Sequence, residues 1–152
     1  MTADDAKRQL RHLIEERVAA VARRDAEALA AQQAADVLAF NVLPPLRLQG
    51  ADQVAPQTEA WFDGYAHGPG YDVRDLHVDA DGDLGYCAFL YHVTGRLRSG
   101  EEVSMWVRAT LVCRRRDGRW VIVHDHESVP WDPETGQGMA GLDPDEARHE
   151  PG

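Results

Sequence analysis

Apolar residues near the start of the chain recur at helical spacing. Leu10, Leu13, Ile14, Val18, Val21 and Ala22 fall on one stripe of a helix over residues 4–23. Asp25 has the chemistry of an N-cap and opens a second, shorter helix through Ala28, Leu29 and Ala31. The run "DVLAFNV" then predicts a strand from Val37 to Val42, stopped by Pro44 and Pro45, with "LRLQG" returning as a short partner. A third helix is expected over about 53–66, capped by Asp52. Pro56 falls in or just past its first turn, where a missing N–H costs least, and "HGPG" ends it. This helix turns Val54, Trp61, Phe62 and Tyr65 inward.

Beyond it the period changes from helical to alternating. Four strand-like runs, at about 71–79, 84–97, 101–116 and 119–128, are separated by the glycine-containing turns "DADGD", "RSGE" and "RDGR". Helices first and an antiparallel meander afterwards predict an α+β domain: a curved antiparallel sheet packed on three N-terminal helices. The domain is expected over residues 1–131, followed by an acidic, Gly- and Pro-rich tail, 132–152, that is loosely held.

Alternation gives every strand two faces. On the 101–116 run, Val103, Met105, Val107, Ala109, Leu111 and Cys113 form a purely apolar face, and Ser104, Trp106, Arg108, Thr110 and Val112 a mixed one. On the last run, Ile122, His124, His126 and Ser128 alternate with Val121, Val123, Asp125 and Glu127. Arg108 in mid-strand is expensive to bury unless paired or wetted. The expectation is therefore that the mixed face lines a small-molecule cavity and the apolar face makes a subunit interface.

Composition narrows the classes of partner. The 152 residues suit one domain, and a net charge of -10 argues against nucleic acid and against anionic membrane surfaces. The arginines of "CRRRDGRW" read as a solvated hairpin turn. No apolar run is long enough to span a bilayer, and "MTADDAKRQLRHLIEERV" lacks the apolar middle of a secretion signal, so a cytoplasmic location is expected. Cys87 and Cys113 sit in apolar runs and read as small buried hydrophobes.

The segment "RWVIVHDHESVP" carries the candidate chemistry. His124 and His126 are expected to share a face, and His92 could supply a third imidazole to a zinc site with an open position. By strand count His92 sits towards the far end of its strand. A polar site without metal or cofactor is the preferred reading. In it, His124 or His126 acts as general acid/base and Arg108 holds a planar anion. Thr110 and Ser128 orient substrate or water, and Trp61, Tyr65 and Trp106 form apolar walls, with Asn41 and His92 as further contacts.

The element order, with "WVRATLVCRRRDGRWVIVHDHESVP", "GADQV…W" and "DVLAFNV", resembles the SnoaL-like, ketosteroid isomerase-homologue branch of the nuclear transport factor 2-like superfamily over residues of about 8–131. The resemblance implies a cone-shaped fold enclosing a pocket, with a homodimer through the sheet's outer face. It implies proton-transfer chemistry such as isomerisation, cyclisation, hydration or dehydration of a small organic molecule. Ketosteroid isomerase itself needs a carboxylate base and a tyrosine–aspartic acid oxyanion hole. Here Asn41 stands where a base would, and the first helix has no tyrosine, so steroid isomerisation is not expected. A non-catalytic ligand-binding or oligomerisation module is the alternative. A second alternative is carbon dioxide hydration, because the same ending is similar to the iota-class carbonic anhydrases, whose pocket would correspond to Thr110, His126 and Ser128.

Overall fold

The computed structural model describes residues 2–146. Helix α1 (Ala3–Ala22) begins in a capping box: the Thr2 hydroxyl accepts from the Asp5 N–H, and the Asp5 carboxylate accepts from the Thr2 N–H. Helix α2 (Ala26–Ala31) is capped by Asp25, which accepts from the Ala28 N–H. Strand β1 (Gln33–Phe40) starts four residues earlier than its apolar run suggests, and β2 (Leu48–Gln49) returns beside it. Helix α3 (Ala51–Asp63) is entered through Gly50, not Asp52; the backbone there has φ 90°, where a side chain would be strained.

Strand β3 (Tyr65–Asp81) is longer than expected and absorbs the "HGPG" segment assigned to a helix end. It is followed by β4 (Leu84–Leu97), β5 (Glu102–Arg116) and β6 (Arg119–Ser128). The sheet order is β2-β1-β6-β5-β4-β3, antiparallel except for the β1–β6 pair. The fold is α+β, with N-terminal helices packed on a large curved sheet. Among the described residues no helix is long and apolar enough to cross a membrane.

The core lies between the helices and one sheet face. Leu10 and Ile14 of α1 are buried in one cluster with Cys87, Leu111, Cys113 and Ile122. Truncating a fully buried leucine such as Leu111 to alanine costs about 2–5 kcal/mol. The expected loose tail is partly built: β7 (Trp131–Asp132) pairs with β8 (Gln137–Gly138), the Trp106 N–H donates to the Ala140 carbonyl, and Arg74 grips Asp145 through two hydrogen bonds of 2.6 and 2.8 Å. The rest of that tail lies outside the described residues.

Candidate active site

The apolar face of β5 turns inward. Val107, Ala109, Leu111 and Cys113 are buried, while Ser104, Arg108 and Thr110 on the opposite face are exposed. On β4, Cys87, Phe89, Tyr91 and Val93 are likewise inside. Cavity and outer surface are therefore exchanged relative to expectation. The physical reason is the helical layer: it has to cover the face richest in hydrocarbon, leaving the mixed face open.

Strand β6 adds a second departure. Cys113 pairs with Ile122 and Val112 with His124, so Val123 is an extra, unpaired residue. Such a bulge breaks simple alternation. It puts Ile122 on the same face as Asp125 and Glu127, where alternation assigned it to the histidines' face.

A cavity of about 430 Å³ opens between this inner face, α1 and α3. Its walls are mostly apolar, with Val54 and Trp61 from α3, Val93 from β4, and Val103, Met105 and Val107 from β5. Five polar side chains converge at one part of the lining: Arg17, Tyr71, Tyr91, Asp125 and Glu127. Arg17 reaches this group because it follows Leu10, Leu13 and Ile14 on the buried stripe of α1. Its guanidinium donates to the Tyr71 hydroxyl at 3.4 Å and to Asp125 Oδ2 at 3.5 Å. The Tyr91 hydroxyl donates to Glu127 Oε1 at 2.5 Å, and the Tyr71 and Tyr91 rings stack 4.5 Å apart.

Asp125 is the unusual group. Its side chain is only 4% exposed, and Oδ1 has no hydrogen-bond partner among the described residues. Desolvation, followed by the neighbouring Glu127 carboxyl, pushes its pKa well above the ordinary carboxylate range, against the pull of Arg17. Burial likewise raises the Tyr71 and Tyr91 hydroxyls. Arg17 loses hydration on burial, but Tyr71, Asp125 and Glu127 hold it charged. The assembly is a buried cation beside two carboxyl groups, of which Asp125 is the more deeply buried.

The residues expected to form the site divide between the two faces. Trp61, Tyr65 and Asn41 line the cavity. Arg108, His124, His126, Thr110, Ser128, Trp106 and His92 do not; they lie on the outer face, and the physical reason is the face exchange described above. There Arg108 Nε donates to Ser128 Oγ at 3.1 Å, and Thr110 pairs in register with His126. His124 Nδ1 lies 2.7 Å from the Leu38 carbonyl oxygen, and Phe40 meets both rings edge-on. His92 stacks on Trp106 at 4.5 Å and lies 2.9 Å from Ser104 Oγ. It is four β5 residues away from the Thr110–His126 pair, so the three imidazoles are not gathered. Among the described residues no group of three His, Cys, Asp or Glu side chains has metal-holding geometry.

Arg17, Tyr71, Tyr91, Asp125 and Glu127 were not singled out from sequence. Two signals pointed to them: a cation inside the apolar stripe of α1, and two carboxylates alternating in a strand whose earlier residues are valines.

A SnoaL-like domain model matches residues 10–132. The fold is similar to that of a nuclear transport factor 2-like protein of unknown function from Pseudomonas putida KT2440, with a TM-score of 0.85, 28% identity, and coverage of 95% of this chain and 100% of that one. A candidate dehydratase of the nuclear transport factor 2-like family from Streptomyces avermitilis shares the fold, with a TM-score of 0.73, 21% identity and coverage of 84% and 97%. So does a ketosteroid isomerase-like protein from Erwinia carotovora atroseptica, with a TM-score of 0.69, 16% identity and coverage of 80% and 94%. No curated protein of known function matches the chain. The match over residues 10–132, on a fold with this helix-covered cavity, establishes that the chain belongs to the SnoaL-like family.

Proposed function

We propose that the protein is a proton-transfer enzyme for a small organic molecule bound in the cavity, with Asp125 and Glu127 as its acid–base pair. The observation that supports this is the placement of two carboxyl groups, a buried arginine and two tyrosines together in a mostly apolar chamber. Asp125, whose carboxyl keeps its proton well above the ordinary carboxylate range because it is buried beside Glu127, can give that proton to a substrate oxygen. Glu127, oriented by the Tyr91 hydroxyl, can take a proton from carbon or from water. One proton leaves the pair and one returns, which fits isomerisation, cyclisation, and loss or addition of water. Arg17 keeps the site from carrying unbalanced negative charge and orients both Asp125 and Tyr71. The apolar walls weaken competition from water for these hydrogen bonds.

The test is proton exchange. A panel of small cyclic ketones in deuterated water, followed by NMR, should show label entering beside the carbonyl with the wild type, and much slower entry with Asp125→Asn or Glu127→Gln. Exchange that neither substitution slows, or no enzyme-dependent exchange across the panel, would sink the reading in favour of a ligand-binding module.

Self-association through the sheet's outer face remains part of the proposal. It would use the Trp106–His92 surface and not the inward apolar face. Light scattering that shows a monomer at micromolar concentration would remove it.

A further inference from the structure

The cavity has a second polar station, on Asn41 just beyond β1 and Gln57 of α3. Gln57 Nε2 donates to the Pro44 carbonyl at 2.7 Å, and Asn41 Nδ2 donates to Gln57 Oε1 at 2.6 Å. A backbone carbonyl can only accept. That fact fixes the orientation of both amides. Gln57 has to turn its NH₂ towards Pro44, so its oxygen faces Asn41, and Asn41 has to answer with its own NH₂. The Asn41 atom left without a partner among the described residues is the carbonyl oxygen Oδ1. Thr58 adds to the same bias: its hydroxyl hydrogen is committed to the Val54 carbonyl at 3.3 Å, so only acceptor capacity remains.

The two stations therefore differ in polarity. On the acid–base reading the Asp125 station offers a proton, and the Asn41 station has a lone pair to offer. Among the described residues Arg17 is the only lysine or arginine of the lining, and it is engaged by Tyr71 and Asp125. We infer that Asn41, locked by the Pro44–Gln57 relay, is a specificity-determining residue that reads a hydrogen-bond donor on the ligand. The ligand class is then an uncharged molecule with an apolar body, a carbonyl or ether-like acceptor for the Asp125 end, and a hydroxyl or N–H elsewhere for Asn41. The assignment of the acceptor end rests on the acid–base reading of Asp125; the Asn41 end does not.

Three probes separate these statements: a hydroxytetralone, its methyl ether and unsubstituted tetralone, titrated against the full chain by quenching of tryptophan fluorescence, which Trp61 in the cavity wall reports. The hydroxy compound should bind roughly fivefold tighter than the other two, the worth of about one hydrogen bond. Asn41→Ala should erase that preference. Gln57→Leu should erase it too, although Asn41 is intact, because its amide is then free to turn and the methyl ether can gain an N–H. Asp125→Asn should weaken all three probes together and leave their ratio unchanged. Equal binding of the three probes by the wild type, or a preference that survives Asn41→Ala, overturns the inference. Survival in Gln57→Leu overturns the relay. If Asp125→Asn weakens none of the probes, it is the reading of the Asp125 station that fails.

Discussion

The two faces of β5 and β6 are built from alternating residues of the same two strands and have opposite fates. The inner face is hydrocarbon until it reaches Asp125 and Glu127, and there burial raises the proton affinity of Asp125. The outer face is richer in recognisable catalytic residue types, yet Arg108 and His126 are exposed. The contrast teaches that residue type alone is a weak guide to chemistry. His126 stays in contact with water, while an aspartic acid buried beside Leu111 holds its proton well above the ordinary carboxylate range.

The largest expected effect tests this contrast directly. Asp125→Asn and Glu127→Gln should each lower turnover by about 10²–10⁴-fold, the usual worth of a general acid or base. Arg108→Ala and His126→Ala should leave turnover within about twofold, because neither touches the cavity. Steady-state rates on a ketone that the exchange screen identifies would decide, and the reverse pattern would restore the outer face as the site.

Next in size is the buried cation. Arg17→Met leaves Asp125 and Glu127 without it, and removing one partner of a buried pair costs about 3–5 kcal/mol. Urea unfolding should show a loss near the lower end of that range at alkaline pH and a smaller one in mild acid, since Asp125 can then take a proton. A loss independent of pH would mean that the arginine acts by packing alone.

Smaller again is the stability effect of Asp125 itself. Its folded-state pKa is raised, so the folded protein holds this proton after the unfolded chain has released it. Stability from this group is complete below the unfolded value of 3.8 and is lost as pH rises towards the folded pKa. Asp125→Asn, which mimics the protonated acid, should therefore melt higher than wild type at neutral pH, and the gap should close as pH falls towards about 4. Calorimetry across that range would show it; a variant that melts lower at neutral pH would mean that the Arg17 ion pair outweighs desolvation. The smallest effect belongs outside: Thr110→Ala and His126→Ala should change stability by no more than about 0.5 kcal/mol.

Much of the architecture was legible in the chain. The period of Leu10, Leu13, Ile14 and Val21 marked the buried stripe of α1, and the glycine turns at 82, 100 and 118 marked the meander. Trp61, Tyr65 and Asn41 line the cavity because α3, the start of β3 and the chain just beyond β1 border it directly. The outer-face set was misplaced for two reasons. An arginine flanked by Trp106 and Thr110 looks like a pocket residue whether or not anything covers it, and nothing in the alternation of β6 announces the unpaired Val123.

By itself the sequence determined the kinds of element, their order, and the division of each strand into a hydrocarbon face and a mixed one, because local periodicity and turn chemistry act over a few residues. Which face the helices cover, and so which polar groups meet in one cavity, was decided only in three dimensions. Arg17 and Asp125 are 108 residues apart along the chain. Their proton chemistry depends on desolvation, which is a property of everything packed around them and of no single segment.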